Sequence, residues 1–208
     1  MARSVMNIVY DCNISEASQA TCNWKHASKK AACWLSILRH RNFSQSGYRR
    51  STMEIKKPNR KRQTYVQTIS AIPEMVFPLL CPVMECEWVH GWQPDFVLSN
   101  SGGAEKNCIF ATTADEGQAI WIITKHDPVD FELEMYKITP KFAVTQLEAS
   151  LSQDGAGQTA AEISYTHTSL GPEGDQFLEE FTFAWYQNFM QRWEKSLNHY
   201  LETGIKID

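Results

Sequence analysis

The sequence lacks several features that would assign it quickly to a class of protein. None of its apolar runs approaches the ~20 residues that a membrane-spanning helix needs. Residues 1–20 lack the charged start and the apolar stretch of a secretory signal peptide. We therefore expect a cytoplasmic protein with no membrane span.

Motifs for nucleotide or metal chemistry are also missing. Gly102 and Gly103 lie between two predicted strands, whereas a phosphate-binding loop opens a helix. The H-E-x-x-H pattern of a catalytic metal site does not occur. The six cysteines are expected to be free thiols, since no export signal points to an oxidising compartment. The sequence thus predicts neither a cofactor nor a metal.

The net charge of -4 conceals two regions of opposite charge. Residues 1–62 contain 13 Lys and Arg but three acidic residues, a net charge of +10. Residues 63–208 contain 7 Lys and Arg and 21 acidic residues, a net charge of -14. Because nucleic-acid binding depends on cations that neutralise phosphates, the acidic region argues against nucleic acid as its main partner.

Residues 1–61 are expected to be a basic, disordered extension. Only residues 29–40 place apolar side chains at helical spacing, over about three turns. The basic residues at 56–57 and 60–62 leave open a nucleic-acid-binding arm or another interaction module. A zinc site is disfavoured, because four possible ligands do not have the spacing of a C-x2-C framework: Cys22, His26, Cys33 and His40.

Met53 offers an alternative start to the protein. It opens the string MEIKKPNRKRQTYVQ, which is typical of an ordinary N-terminus just ahead of a first strand. A further hypothesis is therefore that residues 1–52 are an over-extended start and not part of the working protein.

From residue 63 the sequence predicts a strand, a helical corner and six more strands. Residues 64–71 are rich in β-branched side chains and predict the first strand. Pro73 begins a short helix, and Pro82 separates it from a second one that Gly91 ends. Glycine, aspartate and proline turns separate the later strands, which indicates an antiparallel meander: residues 95–100, 105–112, 119–126, 131–138, 141–151 and 159–168.

Two patterns predict which side chains face the core. In FELEMYKI the hydrophobic alternation places Phe131, Leu133 and Met135 on one face, and assigns the two glutamates and Lys137 to the other. Residues 173–202 contain no proline and carry an aromatic stripe at every third or fourth position, which predicts one helix about 40 Å long. Gly204 is expected to end it.

The order of elements resembles the helix-grip fold of the START-like superfamily, also called SRPBCC. The strings CPVMECEWVHGW, SNSGGAEKNCIFAT and WIITKHDP are similar to those of a bacterial subgroup. The resemblance covers residues 62–204 and implies an α+β domain at residues 62–208. In that fold a curved seven-stranded antiparallel sheet wraps a long C-terminal helix, with two short helices after the first strand.

The resemblance implies a hydrophobic cavity between the sheet and the long helix. The expected function is binding of a hydrophobic or aromatic small molecule, as a carrier or sensor; the superfamily includes lipid carriers. One fold supports many activities, so a polyketide cyclase- or dehydratase-like enzyme is the alternative. The expected ligand-binding side chains are Trp88, Trp92, Trp121, Phe131, Met135, Tyr165, Phe181, Trp185 and Phe189.

An enzyme of this kind needs an inward ionisable group, and three residues are candidates. Glu105 begins a predicted strand, where an inward carboxylate would have a raised pKa. His167 has the strand parity of Tyr165, which places it at the pocket mouth, although a partly exposed strand-end histidine is the simpler interpretation. Glu85 is the third candidate.

Glu85 lies in LLCPVMECEWVHGW, which concentrates possible metal ligands within residues 79–92. On a helix, Cys81 and Glu85 share one face and Cys86 and His90 another, so no metal site is expected. Local capping or pairing is favoured for Glu85. The alternative turns Cys81, Glu85 and Trp88 toward the cavity, with Trp92 at its rim.

Overall fold

The computed structural model describes Met53–Ile207, in which seven antiparallel strands form one sheet in the order β1-β7-β6-β5-β4-β3-β2. Strands β2 to β7 are a meander, and β1 pairs with the last strand, so the predicted sheet is confirmed. The strands are β1 Arg60–Ile69, β2 Phe96–Leu98, β3 Ile109–Ala114, β4 Gly117–Asp127, β5 Glu132–Thr139, β6 Ala143–Gln153 and β7 Thr159–Ser169.

The helices lie between β1 and β2 and after β7. They are α1 Pro73–Val76, α2 Pro172–Glu180 and α3 Phe183–Thr203. Two 3-10 turns, Phe77–Leu79 and Met84–Glu87, follow α1. Within the described part of the chain, no helix is long and apolar enough to cross a membrane.

The basic cluster ahead of the domain is partly built into β1. Arg60 donates to the Thr168 hydroxyl, and the Lys61 ammonium donates to a backbone carbonyl of α2. Arg62 forms an ion pair with Glu148. The strand therefore starts just before the predicted boundary at residue 62. The expectations for residues 1–52, including the zinc ligands, lie outside the described residues.

Side-chain alternation gives the sheet one buried face. In β6 every second side chain is buried, from Ala143 to Leu151, and those between are more exposed. The buried side chains face α3, as the two-residue period of a strand requires. The core therefore lies between the sheet and the helix.

Helix α3 is fastened to one side of that face. The buried amide of Gln67 donates to the Met190 carbonyl at 2.8 Å. The Tyr186 hydroxyl donates to the carbonyl of Ile163 at 2.8 Å. Because these bonds reach β1 and β7, the helix lies over that side of the sheet and leaves the β3 to β5 side for other elements to cover.

The single helix predicted over residues 173–202 is wrong, because the chain breaks between α2 and α3. Thr182 has an extended backbone, and its hydroxyl accepts from the Trp185 N–H at 3.2 Å. Such a cap starts a new helix. The break also buries Phe181, whose ring lies edge-on to His167 with 4.4 Å between the ring centroids.

The second of the two predicted short helices is only the 3-10 turn Met84–Glu87. In an α-helix the Cys86 N–H would donate to the Pro82 carbonyl, four residues earlier. Here the Pro82 carbonyl accepts from the Trp92 indole N–H at 2.8 Å, and the Cys86 N–H donates to the Val83 carbonyl, three residues earlier. Gly91 then turns the chain with a φ of 72°. The indole thus occupies an acceptor that an α-helix needs. Residues 73–92 are called the helical corner below.

Gly174 of α2 packs against the backbone just before β6. A Cβ there would overlap the carbonyl oxygen of Phe142. Gly174→Ala is expected to lower the free energy of unfolding by about 1–3 kcal/mol, although alanine normally favours a helix. Urea titration measures this. Gly155→Ala, in a turn with nothing within 4 Å, is the control. Equal stability of the two variants would contradict the close contact.

Candidate functional site

A cavity of about 750 Å³ lies between the concave face of the sheet, the helical corner and α3. It opens to solvent where the exposed residues His90, Gly91, Arg192 and Lys195 line it. The sheet contributes Phe110, Trp121, Met135, Lys137, Thr145, Leu147, Tyr165 and His167. The corner contributes Pro82, Glu85, Val89 and Trp92, and α3 contributes Phe189, Trp193 and Ser196, with Ile207 following.

The floor of the cavity consists of two rows of side chains that run across the strands. Strand register places each residue of a row directly opposite the next. The first row is Phe110, Trp121, Lys137, Thr145 and His167. The second row is Ile123, Met135, Leu147 and Tyr165. The rows are two residues apart along β4 to β7, so both lie on the same face of the sheet, and all of their members except Ile123 line the cavity.

Aromatic rings form two walls of the cavity. At one side Phe110 and Trp121 stack with centroids 5.3 Å apart, and Trp92 lies edge-on to both. At the helix side Phe189 and Trp193 are 5.8 Å apart. The walls give the cavity a largely apolar lining.

Glu85 brings a carboxyl group into this apolar space. Only 7% of the residue is exposed, and burial raises its pKa from 4.5 to about 8. Between Met53 and Ile207 it neither caps a helix nor forms an ion pair, so the favoured local role is wrong. The carboxyl is therefore protonated at neutral pH and available as a hydrogen-bond donor.

His167 is buried at the far end of the first row rather than partly exposed. Its Nδ1 shares a hydrogen bond with the Thr145 hydroxyl at 2.7 Å. The rings of Phe177 and Phe181 stand edge-on to the imidazole at 5.0 and 4.4 Å. Burial, and secondarily the Lys137 charge, lower the pKa of His167 to about 4, so the ring is neutral at pH 7.

Lys137 is an ionisable group of the floor that sequence reasoning assigned to the wrong face. It follows Met135 by two residues and therefore points inward with it. Its Nζ lies 5.5 Å from the centroid of the Trp121 ring. Burial lowers the pKa of the ammonium group. Strand parity alone would have placed Lys137 on the same face as Met135, but its charge led to its assignment to the outer face.

The nine predicted ligand-binding residues divide between the cavity and the packing around it. Trp92, Trp121, Met135, Tyr165 and Phe189 line it. The other four do not, for separate reasons. Trp88 is buried behind the wall, where its indole donates to the Leu79 carbonyl at 2.9 Å. Phe131 packs on Phe77, Phe181 packs on His167, and Trp185 is 43% exposed.

Glu105 does not face the cavity, so its proposed role as an inward acid or base is wrong. Strand β3 starts at Ile109, and the preceding residues turn through Asn107, which has a φ of 70°. The Glu105 carboxylate accepts from the Asn100 N–H, and this bond lowers its pKa. The carboxylate stabilises the turn between β2 and β3.

The possible metal ligands of residues 79–92 do not come together. No cluster of three or more His, Cys, Asp or Glu side chains suited to a metal occurs within Met53–Ile207. Cys81 is buried, and its sulfur accepts from the Ala104 N–H at 3.1 Å. Of residues 79–92, those that line the cavity are Pro82, Glu85 and the residues from Val89 to Trp92.

Comparison with known proteins identifies the fold. No protein-family model and no curated protein sequence matches the chain. Norcoclaurine synthase from Thalictrum flavum, in complex with dopamine and hydroxybenzaldehyde, has a TM-score of 0.53 and 9% identity, covering 73% of this chain and 96% of its own. A point mutant of that synthase with a transition-state analogue has a TM-score of 0.55 and 9% identity, covering 72% and 100%. The chain therefore has the helix-grip fold.

The raised pKa of Glu85 leads us to expect a specific pH dependence of the free energy of unfolding. Between pH 4.5 and 8 the unfolded chain loses a proton that the folded chain keeps, so the free energy of unfolding falls as pH rises. The slope is at most about 1.4 kcal/mol per pH unit. We expect Glu85→Gln to gain stability relative to the wild type across this window, as measured by urea titration at several pH values.

The exposed Glu87 provides the matched control. Glu87→Gln is expected to follow the wild type at every pH. His167 adds a slope of opposite sign between pH 4 and 6.5, but it is present in all three proteins and cancels in the difference. A Glu85→Gln difference that does not grow between pH 4.5 and 8 would show that the carboxyl is ionised in the folded protein.

Proposed function

We propose that the protein binds a hydrophobic or aromatic small molecule in this cavity, as a carrier or sensor. The supporting observation is the cavity itself, about 750 Å³ with aromatic walls and an opening to solvent. Small-molecule pockets are typically about 300–1,000 Å³ and mostly apolar, with a few placed polar groups. A cytoplasmic location remains part of the proposal.

The two aromatic walls supply the driving force. A flat ring between the Trp92 side and the Phe189 side would remove apolar surface from water on both of its faces. Such burial contributes about 25 cal/mol per Å². The polar groups, Glu85 and Lys137 among them, are few and would orient a ligand. The structure of norcoclaurine synthase with two aromatic molecules supports the capacity of this fold for such ligands.

The neutral dye N-phenylnaphthylamine tests binding, because it fluoresces strongly only in apolar surroundings. We expect one molecule per chain, with energy transfer from the lining tryptophans Trp92, Trp121 and Trp193. Ser196→Phe places a ring in the cavity from α3 and is expected to weaken binding at least about tenfold. Fluorescence titration measures both effects.

Gln191→Phe, an exposed change on the same helix, is the control and should bind like the wild type. Circular dichroism establishes that both variants are folded. If the dye does not bind, or if Ser196→Phe binds it as the wild type does, the cavity is not the binding site.

A second function is favoured by the opposite pKa shifts of Glu85 and His167. At pH 7 the cavity holds a protonated carboxyl and a neutral imidazole, one able to donate a proton and the other to accept one. This pair suits a cyclase- or dehydratase-like reaction. In a dehydration, His167 would take a proton beside a carbonyl, and Glu85 would protonate the departing hydroxyl, which leaves as water.

An aromatic β-hydroxyketone is the probe for this second function, because loss of water gives a conjugated ketone that absorbs light. If the pair is catalytic, the wild type accelerates the reaction and Glu85→Gln lowers the rate by about 100-fold or more. Glu87→Gln should retain the wild-type rate. A wild type that gives no acceleration over buffer would contradict the catalytic function and leave the binding function standing.

A further inference from the structure

We propose that the ligand carries an anionic acid group, such as a carboxylate or sulfonate, and that Lys137 binds it on the floor of the cavity. The inference rests on the proposed binding function and defines its ligand class. The aromatic body of the ligand would lie between the two walls, with its acid group against the sheet.

The first observation is that the Lys137 ammonium has no partner of opposite charge in direct contact, although the charge of the exposed Glu116 acts on it from the turn between β3 and β4. Among residues 53–207 its Nζ forms neither a hydrogen bond nor an ion pair. The Lys137 Nζ lies over the face of the Trp121 ring, 5.5 Å from the ring centroid. Register places it between Trp121 and Thr145, in the middle of the first row. A half-buried ammonium in this position lacks the direct hydrogen-bonded partner that burial normally requires.

The second observation is the charge of the other groups that line the cavity. Among the described residues, Glu85 is the sole carboxyl of the lining, and it is uncharged at pH 7. His167 is neutral as well. The remaining charged side chains are Arg192 and Lys195 at the opening. The site is therefore cationic in a domain whose net charge is strongly negative, which favours an anionic ligand over a cationic one.

The third observation is that the cavity is lined by two side chains that can donate hydrogen bonds to an acid group. Glu85 in its protonated form and Lys137 can both donate to an anion. Hydrogen bonds between charged partners are the stronger kind, and in apolar surroundings water competes less for them. A neutral ligand would leave the ammonium unpaired, whereas an anion would satisfy it.

A pair of dyes that share one ring system tests the inference. N-phenylnaphthylamine is neutral, and anilinonaphthalene sulfonate carries an acid group on the same skeleton. Lys137→Met is expected to weaken binding of the sulfonate about tenfold or more and to leave the neutral dye within about twofold. Lys137→Arg keeps the charge and should retain most of the preference for the sulfonate. Lys106→Met, on an exposed lysine, is the control.

The outcomes separate the two proposals. If neither dye binds the wild type, the proposed binding function fails and the inference fails with it. If both dyes bind but Lys137→Met weakens them equally or not at all, the binding function stands and the inference is overturned. A loss of sulfonate binding in Arg192→Met or Lys195→Met but not in Lys137→Met would also overturn it, because the acid group would then lie at the opening.

Discussion

The attachment of α3 to β1 and β7 determines the rest of the structure. A buried glutamine amide and a buried tyrosine hydroxyl each bond to a backbone carbonyl across the gap between sheet and helix. An unpaired donor in that position would be costly, so these bonds fix the helix over one side of the concave face. The other side cannot be filled by the helix. The helical corner covers it only partly, and the cavity is what remains between them.

The same burial sets the ionisation of the groups inside. Glu85, His167 and Lys137 belong to different elements, and burial shifts the pKa of each toward the uncharged form. The carboxyl becomes a donor and the imidazole a neutral acceptor, while the ammonium is left beside an aromatic face. Their chemistry therefore follows from the shared apolar surroundings, with no ion pair among them.

The architecture was accessible from the sequence because strand periodicity and turn residues are local signals. The site was less accessible, since it depends on how distant elements meet. Parity placed Met135 and Tyr165 correctly, and the same rule applied to Lys137 would have turned it inward. The break at Thr182 was missed because an aromatic stripe outweighed one capping residue. Glu105 was misplaced because β3 starts later than its apolar pattern suggests.

The break between α2 and α3 gives the cavity two unlike ends. By folding back, α2 presents Phe177 and Phe181 to the imidazole of His167, which backs that end of the first row with tightly packed rings. The opening of the cavity meets solvent beside Arg192 and Lys195. The packed rings limit the size and shape of the part of a ligand that lies at the inner end, whereas the part at the opening is not limited in this way. Ligands that share an inner portion but differ in the length of their outer portion would then form one family of related occupants.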